Sequence, residues 1–270
     1  INVSINVPSI AIVPCRTGLL VSAAACAMGA EPKPDSLENI PRATPMRSAN
    51  IIVAPAKPPV AAAPLKAATG APIIGCAPLV LRDDGPRSDS AFDPDYAPDR
   101  ILADGERISG DGWTLEAVTT PGHTSNHICY GLVESGALFT GDHVMGWSTS
   151  IISPPDGDMA DYMLSLELLL DRDDEIYWPT HGTAIREVQP FVQAFIDHRL
   201  EREQQILACL KDGLTRIPDM VPVMYTTTDP RMFPAAERSV LSAMIRLIDQ
   251  GVVSSTQPVS TASDFRLMSD

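Results

Sequence analysis

Hydrophobic and polar positions change character near residue 60, and orderly patterns begin only after that point. Residues 113–119 (WTLEAVT) alternate apolar and polar, the period of a half-buried strand. Residues 127–133 (HICYGLV) and 137–140 (ALFT) read as two more strands, joined by a turn at Glu134-Ser135-Gly136. Shorter strands are predicted at 72–76, 100–102 and 175–178. Residues 158–170 (DMADYMLSLELLL) carry apolar positions at helical spacing, with Asp158 as the N-cap. Residues 61–68 (AAAPLKAA) read as a helix stopped at Thr69-Gly70. Residues 82–98 form an acidic, turn-rich loop. Many strands followed by helices on the outside suggest a layered α/β sandwich over residues 61–197.

The last quarter is patterned differently. Residues 187–210 form a long helix stopped by Gly213, residues 217–225 and 235–250 two further helices, and a strand-like end starts at Gly251. Helix, short helix, helix, then strand is a winged-helix-like order over residues 198–253. Such units often read nucleic acid through a helix. Here seven basic residues are balanced by seven acidic ones, so no basic face follows and a packing or dimerisation role is favoured. Residues 254–270 read as a mobile Ser/Thr-rich tail.

Residues 1–60 lack this order. Prolines at 8, 14, 32, 34, 41, 45, 55, 58 and 59 interrupt helices and central strands alike, and only short runs such as Ile51-Ile52-Val53 stand out. Five basic and three acidic residues give this segment +2, so the other 210 residues carry −16 of the total −14. The segment reads as atypical and poorly specified, either loosely ordered chain or irregular edge structure.

Net charge of −14 argues against a general nucleic-acid binder and against an anionic membrane surface. No run of 18 apolar residues exists, so no spanning helix is expected. Arg16 and the Ala-rich run after it resemble parts of a secretory signal, but a chance match is the favoured reading. The five cysteines are widely spaced without a CxxC pair, which fits reduced thiols in a cytoplasmic protein.

The chemistry concentrates in three short segments. Thr120-Pro121-Gly122-His123-Thr124-Ser125-Asn126-His127, Thr140-Gly141-Asp142-His143 and Pro179-Thr180-His181-Gly182 hold four of the five histidines, each at the end of a predicted strand. Small turn residues let the backbone bend and aim the side chains. His123, Asp142 and His181 suit a metal, which takes neutral imidazole and carboxylate donors. A zinc ion with an open position brings its bound water to a pKa of about 7.

These segments carry a resemblance. TTPGHTSNH, then ALFTGDH, then YWPTHG, with the run VMGWSTSIISPPDGDM at 144–159, resemble metallo-β-lactamase-fold hydrolases, in the subgroup with a C-terminal winged helix. The resemblance covers residues 61–253 and implies an αββα sandwich with a two-zinc site at its edge. It implies that His123 binds the first zinc, Asp142 bridges, His181 binds the second, and His127 supports a ligand from behind. His143 would contact substrate beside Trp147, and the loop with Ser153 and Asp156 would cover the pocket. The implied reaction is attack by metal-bound hydroxide on an ester, thioester, lactam or phosphodiester. A small molecule and an RNA both stay open as substrate, and a homodimer is plausible on the helical module.

The sequence departs from this family in one place. A His-x-His-x-Asp-His motif, supplying four ligands, belongs at about residues 53–58, where this chain reads Val53-Ala54-Pro55-Ala56-Lys57-Pro58. No histidine precedes His123. One weakly held zinc, or none, is therefore expected in place of two, with hydrolysis impaired; the alternative is a non-catalytic binding or assembly protein on the same fold. The abrupt start of family-like sequence at residue 61 suggests a shifted reading frame, a wrong gene boundary or a decayed copy. Translating the other two frames of the coding DNA tests this: no His-x-His-x-Asp-His segment in either would exclude a frame error.

Overall fold

Two sheets share one buried layer, and the second of them carries the histidine loops on its strand ends. The structure, a computed structural model, describes residues 62–80 and 96–268, together with the backbone strands at 10–12, 21–22 and 51–54. The acidic loop expected at 82–98 lies largely outside these residues, as do positions 55–58 of the missing motif.

The first sheet runs in the order β2 (Val21–Ser22), β1 (Ile10–Ile12), β3 (Ile51–Ala54), β4 (Ile73–Gly75), β5 (Arg100–Ile101). All neighbours are parallel except β1 and β2. The Ile51-Ile52-Val53 run thus forms the middle strand, which corrects the expectation of edge structure there.

The second sheet runs in the order β10 (Ile176–Pro179), β9 (Ala137–Gly141), β8 (Ile128–Leu132), β7 (Trp113–Thr119), β6 (Arg107–Gly110). β6 to β9 form antiparallel neighbours, and β10 joins β9 in parallel. Strand β6 is not visible in the sequence pattern because only Ile108 of its four residues is buried. Leu115, Ala117 and Tyr130 point into a core shared with Ile73 and Ile74 of the first sheet and Ala62 of α1 (Ala62–Thr69). Val118, Cys129 and Leu138 point the other way, onto α2 (Met159–Leu170) and α3 (Val188–Lys211). The order of layers is helix, sheet, sheet, helices. The buried thiols Cys76 and Cys129 are free, and burial pushes their pKa up to about 11 and about 12, so they stay protonated and inert.

A third core closes the C-terminal unit. It joins Ile206, Cys209 and Leu210 at the end of α3 to α4 (Ile217–Met224), α5 (Phe233–Asp249), β11 (Val253–Ser255) and β12 (Phe265–Leu267). Two sequence expectations are corrected here. The boundary at residue 198 falls inside α3, which runs unbroken through both cores. Residues 254–268 are not a loose tail: β12 pairs antiparallel with β11, and Phe265 is fully buried, its amide donating to Thr215 O. A lone aromatic in a Ser/Thr-rich stretch gives no period to read. Among the described residues no helix is long and apolar enough to cross a membrane.

The start of α2 fixes the first histidine loop. Asp158 caps the helix, its Oδ1 accepting from Ala160 N at 2.7 Å and Asp161 N at 3.0 Å. Its own amide donates to Gly122 O at 2.9 Å. Gly122 has φ +129°, and a Cβ there would lie 2.3 Å from Tyr162 Cα, so only glycine lets the loop touch the helix backbone.

Phe265→Ala should cost about 3–5 kcal/mol in urea denaturation, the range for emptying a buried aromatic site; a loss under about 0.5 kcal/mol, as for an exposed position, would contradict the ordered wing. Gly122→Ala should cost on the order of 2–5 kcal/mol, from backbone strain plus overpacking on α2. An unchanged denaturation midpoint for that variant would show that the close approach is absent.

Candidate metal centre

The three histidine segments converge at one end of the second sheet. His123 follows β7, Asp142 follows β9 and His181 follows β10, and β9 lies between the other partners in the sheet order. Asp142 turns one oxygen to each histidine: Oδ2 lies 3.8 Å from His123 Nε2, and Oδ1 lies 3.6 Å from His181 Nε2. These gaps suit a cation held between nitrogen and oxygen at about 2.0–2.2 Å from each.

Nδ1 of His123 lies 2.6 Å from Ile151 O. A carbonyl only accepts, so Nδ1 carries a proton, and Nε2 is the ring nitrogen turned toward Asp142. His127 stands behind, with Nδ1 2.8 Å from Thr120 Oγ1 and its ring edge-on to His123 at 6.3 Å. It is buried and its Nε2 faces the backbone of Gly141.

His143 does not reach a pocket, which corrects the expectation of a substrate contact. The ring is fully buried against Tyr162 at 4.8 Å, and among the described residues neither nitrogen has a hydrogen-bond partner. Burial pushes its pKa down to about 3, helped by the nearby His123 and Arg199. His143 therefore stays neutral inside the protein. Trp147, in contrast, is 73% exposed and stacks on His181, with ring centroids 5.8 Å apart and planes at 15°. The two loops are locked together by Gly146 N donating to His181 O at 2.7 Å, and a Cβ on Gly182 would lie 2.6 Å from the Gly146 carbonyl carbon.

The loop after Trp147 is tied to the framework on every side. Asp156 Oδ1 accepts from Ser125 Oγ at 2.6 Å, which joins it to the His123 loop. Ser153 Oγ accepts from Arg238 Nε at 2.6 Å. Ser150 Oγ lies 2.5 Å from Asp142 O and 2.9 Å from His143 O, so its single proton braces the backbone that carries Asp142. Tyr162 donates to His143 O at 2.8 Å. Arg199, buried on α3 over the Tyr162 ring, donates to Ser150 O. None of Ser150, Tyr162, Arg199 or Arg238 stands out in the sequence as a site residue. Ser150 and Tyr162 at least fall in or beside the 144–159 run, whereas Arg238 lies 85 residues from its partner and leaves no local signal.

Among the described residues the donors fall short of a complete metal shell. A cation in either gap would touch one imidazole and one carboxylate oxygen, where zinc takes three or four protein donors. Among the described residues no group of three or more His, Cys, Asp or Glu side chains is arranged to hold a metal ion.

Residues 60–181 match the metallo-beta-lactamase superfamily, and residues 217–258 match the beta-lactamase associated winged helix domain. A beta-lactamase-like protein 2 homolog of Caenorhabditis elegans is 34% identical over 152 residues, covering 56% of this chain and 50% of that protein. An atrochrysone carboxyl ACP thioesterase of Aspergillus fumigatus is 38% identical over 120 residues, covering 43% of this chain and 37% of that protein. This chain thus spans half or less of the length of these relatives. A beta-lactamase domain protein from Burkholderia ambifaria, solved by crystallography, superposes with a TM-score of 0.66 at 17% identity, over 82% of this chain and 74% of that one, and shares the fold. Sandwich, strand-end histidine loops and appended helices thus agree with a metallo-β-lactamase superfamily domain over residues 60–181 followed by a β-lactamase-associated winged helix domain over residues 217–258.

Proposed function

We propose that this chain descends from a hydrolase of acyl thioesters or esters and retains only the half of the metal centre contributed by His123, Asp142 and His181. The observation that carries this reading is the split carboxylate of Asp142, with one oxygen toward each histidine at 3.6 and 3.8 Å. Such a carboxylate suits two neighbouring cations, yet each position has two donors among the described residues. The thioester class is supported by a named relative, the fungal ACP thioesterase. Trp147, exposed beside His181, supplies an apolar surface for the acyl portion of such a substrate.

A shell of two donors per position binds zinc weakly, so hydrolysis by the chain as it stands is reduced. A second reading, a non-catalytic member that uses the fold for binding or assembly, is favoured by the lack of any converging group of three donors among the described residues. Zinc content separates the two: substoichiometric zinc supports the impaired hydrolase, and none supports the non-catalytic member.

Elemental analysis of the purified chain should find less than one zinc per molecule; two per molecule would contradict the half-site. Asp142→Ala should remove whatever zinc remains, because it takes the anionic donor from both positions at once. Unchanged zinc in that variant would show that the metal sits elsewhere. Turnover of a simple acyl thioester should be near the uncatalysed rate in both proteins, and a robust rate in the wild type abolished by Asp142→Ala would refute the impairment.

A further inference from the structure

We infer that a small cavity between the sandwich helices and the C-terminal unit is a binding site for one monatomic anion of the chloride class, held between Arg199 and Arg202. The inference is independent of the half-site and of its chemistry.

The cavity lies where both units meet. Met159 of α2 closes one side, Arg199, Arg202 and Glu203 come from α3, Ser239 comes from α5, and Tyr225 follows α4. It measures about 10 Å³. One water-sized occupant needs about 10–15 Å³. A single water or a monatomic ion is therefore the scale of what fits, and phosphate, sulfate and carboxylates are too large. The two arginines have most of their donors engaged. Arg199 Nη2 donates to Ser150 O, and its guanidinium lies 5.2 Å from the Tyr162 ring centroid. Arg202 Nη1 donates to Gln205 Oε1 at 2.8 Å and to Met224 O at 2.9 Å, with its guanidinium 4.3 Å from the Tyr225 ring centroid. What remains is the Nε–H of each. Both Nε atoms are buried, and neither has a hydrogen-bond partner among the described residues. A buried donor on a charged group is costly without an acceptor, more so than a neutral one.

Charge decides between a water and an anion. Glu203 is the carboxylate that lines the cavity, and it is paired with Arg246 from α5. Arg199 and Arg202 have no carboxylate partner among the described residues. Three guanidinium groups and one carboxylate leave a charge of +2 around the cavity. His198, the neighbour of Arg199 in the chain, feels that excess: its pKa is lowered by burial first and then by Arg199 and Arg202, with Glu201 acting against them. A water would accept from the Nε–H groups but leave the charge as it is. A halide ion accepts from both, and from the Ser239 hydroxyl, and offsets one of the two positive charges. Held there, it joins α3 to the C-terminal helices at the residue that also carries the Ser150 carbonyl. The fit of the two units then depends on chloride.

The test is urea denaturation of the full chain at constant ionic strength, with chloride exchanged stepwise for gluconate, which is too large for the cavity. The wild type should gain stability in chloride. Once the site fills, its folding constant should approach about a tenfold rise for each tenfold rise in chloride, the behaviour of one bound ion. Arg202→Met keeps an apolar stem and removes the Nε donor and the charge, and its midpoint should be the same in both salts. Arg231→Met, which removes an exposed arginine paired with Asp229, should keep the chloride dependence of the wild type. Equal wild-type midpoints in chloride and gluconate would overturn the proposal, as would an undiminished chloride gain in Arg202→Met. Bromide in crystals of the wild type covers the case in which Arg202→Met fails to fold. An anomalous peak between Arg199 and Arg202 is the expected result, and an ordered water or an empty cavity there would contradict the site.

Discussion

The Asp142 carboxylate, shared between two imidazoles, is the arrangement that the rest of the structure serves. A carboxylate that faces nitrogen on both sides at 3.6 and 3.8 Å takes its position from the backbone that carries it. That backbone lies where β9 ends beside β10, and Ser150 and Tyr162 brace its carbonyls. The two histidines are aimed in the same way. His123 is set by the Ile151 carbonyl and by a loop pressed on α2 at Gly122, and His181 by a backbone bond to Gly146 and the Trp147 ring above it. Each of these side chains depends on a neighbour from another part of the chain.

The same bonds explain how the C-terminal unit is joined to the sandwich. Helix α3 belongs to both cores, and Arg199 in its middle spans the junction between Tyr162 and Ser150. A buried guanidinium is costly unless its donors and its charge are satisfied. Here a backbone carbonyl and the face of an aromatic ring offset part of that cost, while Arg199 Nε has no hydrogen-bond partner among the described residues. Nearby, Arg202 lies over Tyr225 and donates to Met224 O, and Arg246 pairs with Glu203. Arg199, Arg202 and Arg246 are thus engaged at the junction and within the C-terminal unit.

Much of the sandwich was legible in the sequence because its signals are local. Alternation in 113–119 marks a strand with two distinct faces, Asp158 marks a helix start, and glycines beside His123, Asp142 and His181 mark strand-end loops. What was not legible depends on partners distant in the chain. Strand β6 has one buried residue, so no period exists to detect. Strand β12 rests on Phe265 alone, and its pairing with β11 is invisible to local composition. His143 looks like a site residue by its type and its neighbour Asp142, but packing on Tyr162 buries it as an apolar ring would be buried. Ser150, Arg199 and Arg238 act through backbone carbonyls and one hydroxyl, which leave no trace in residue spacing.

The central proposal is that each cation position offers no donors beyond the two found among the described residues. A calorimetric zinc titration of the metal-free chain tests it most directly. Complete structural shells bind zinc with about 10–16 kcal/mol near neutral pH. The half-site account expects affinity no tighter than about 1 μM, near 8 kcal/mol, and less than two equivalents. Two equivalents bound at nanomolar affinity would contradict it.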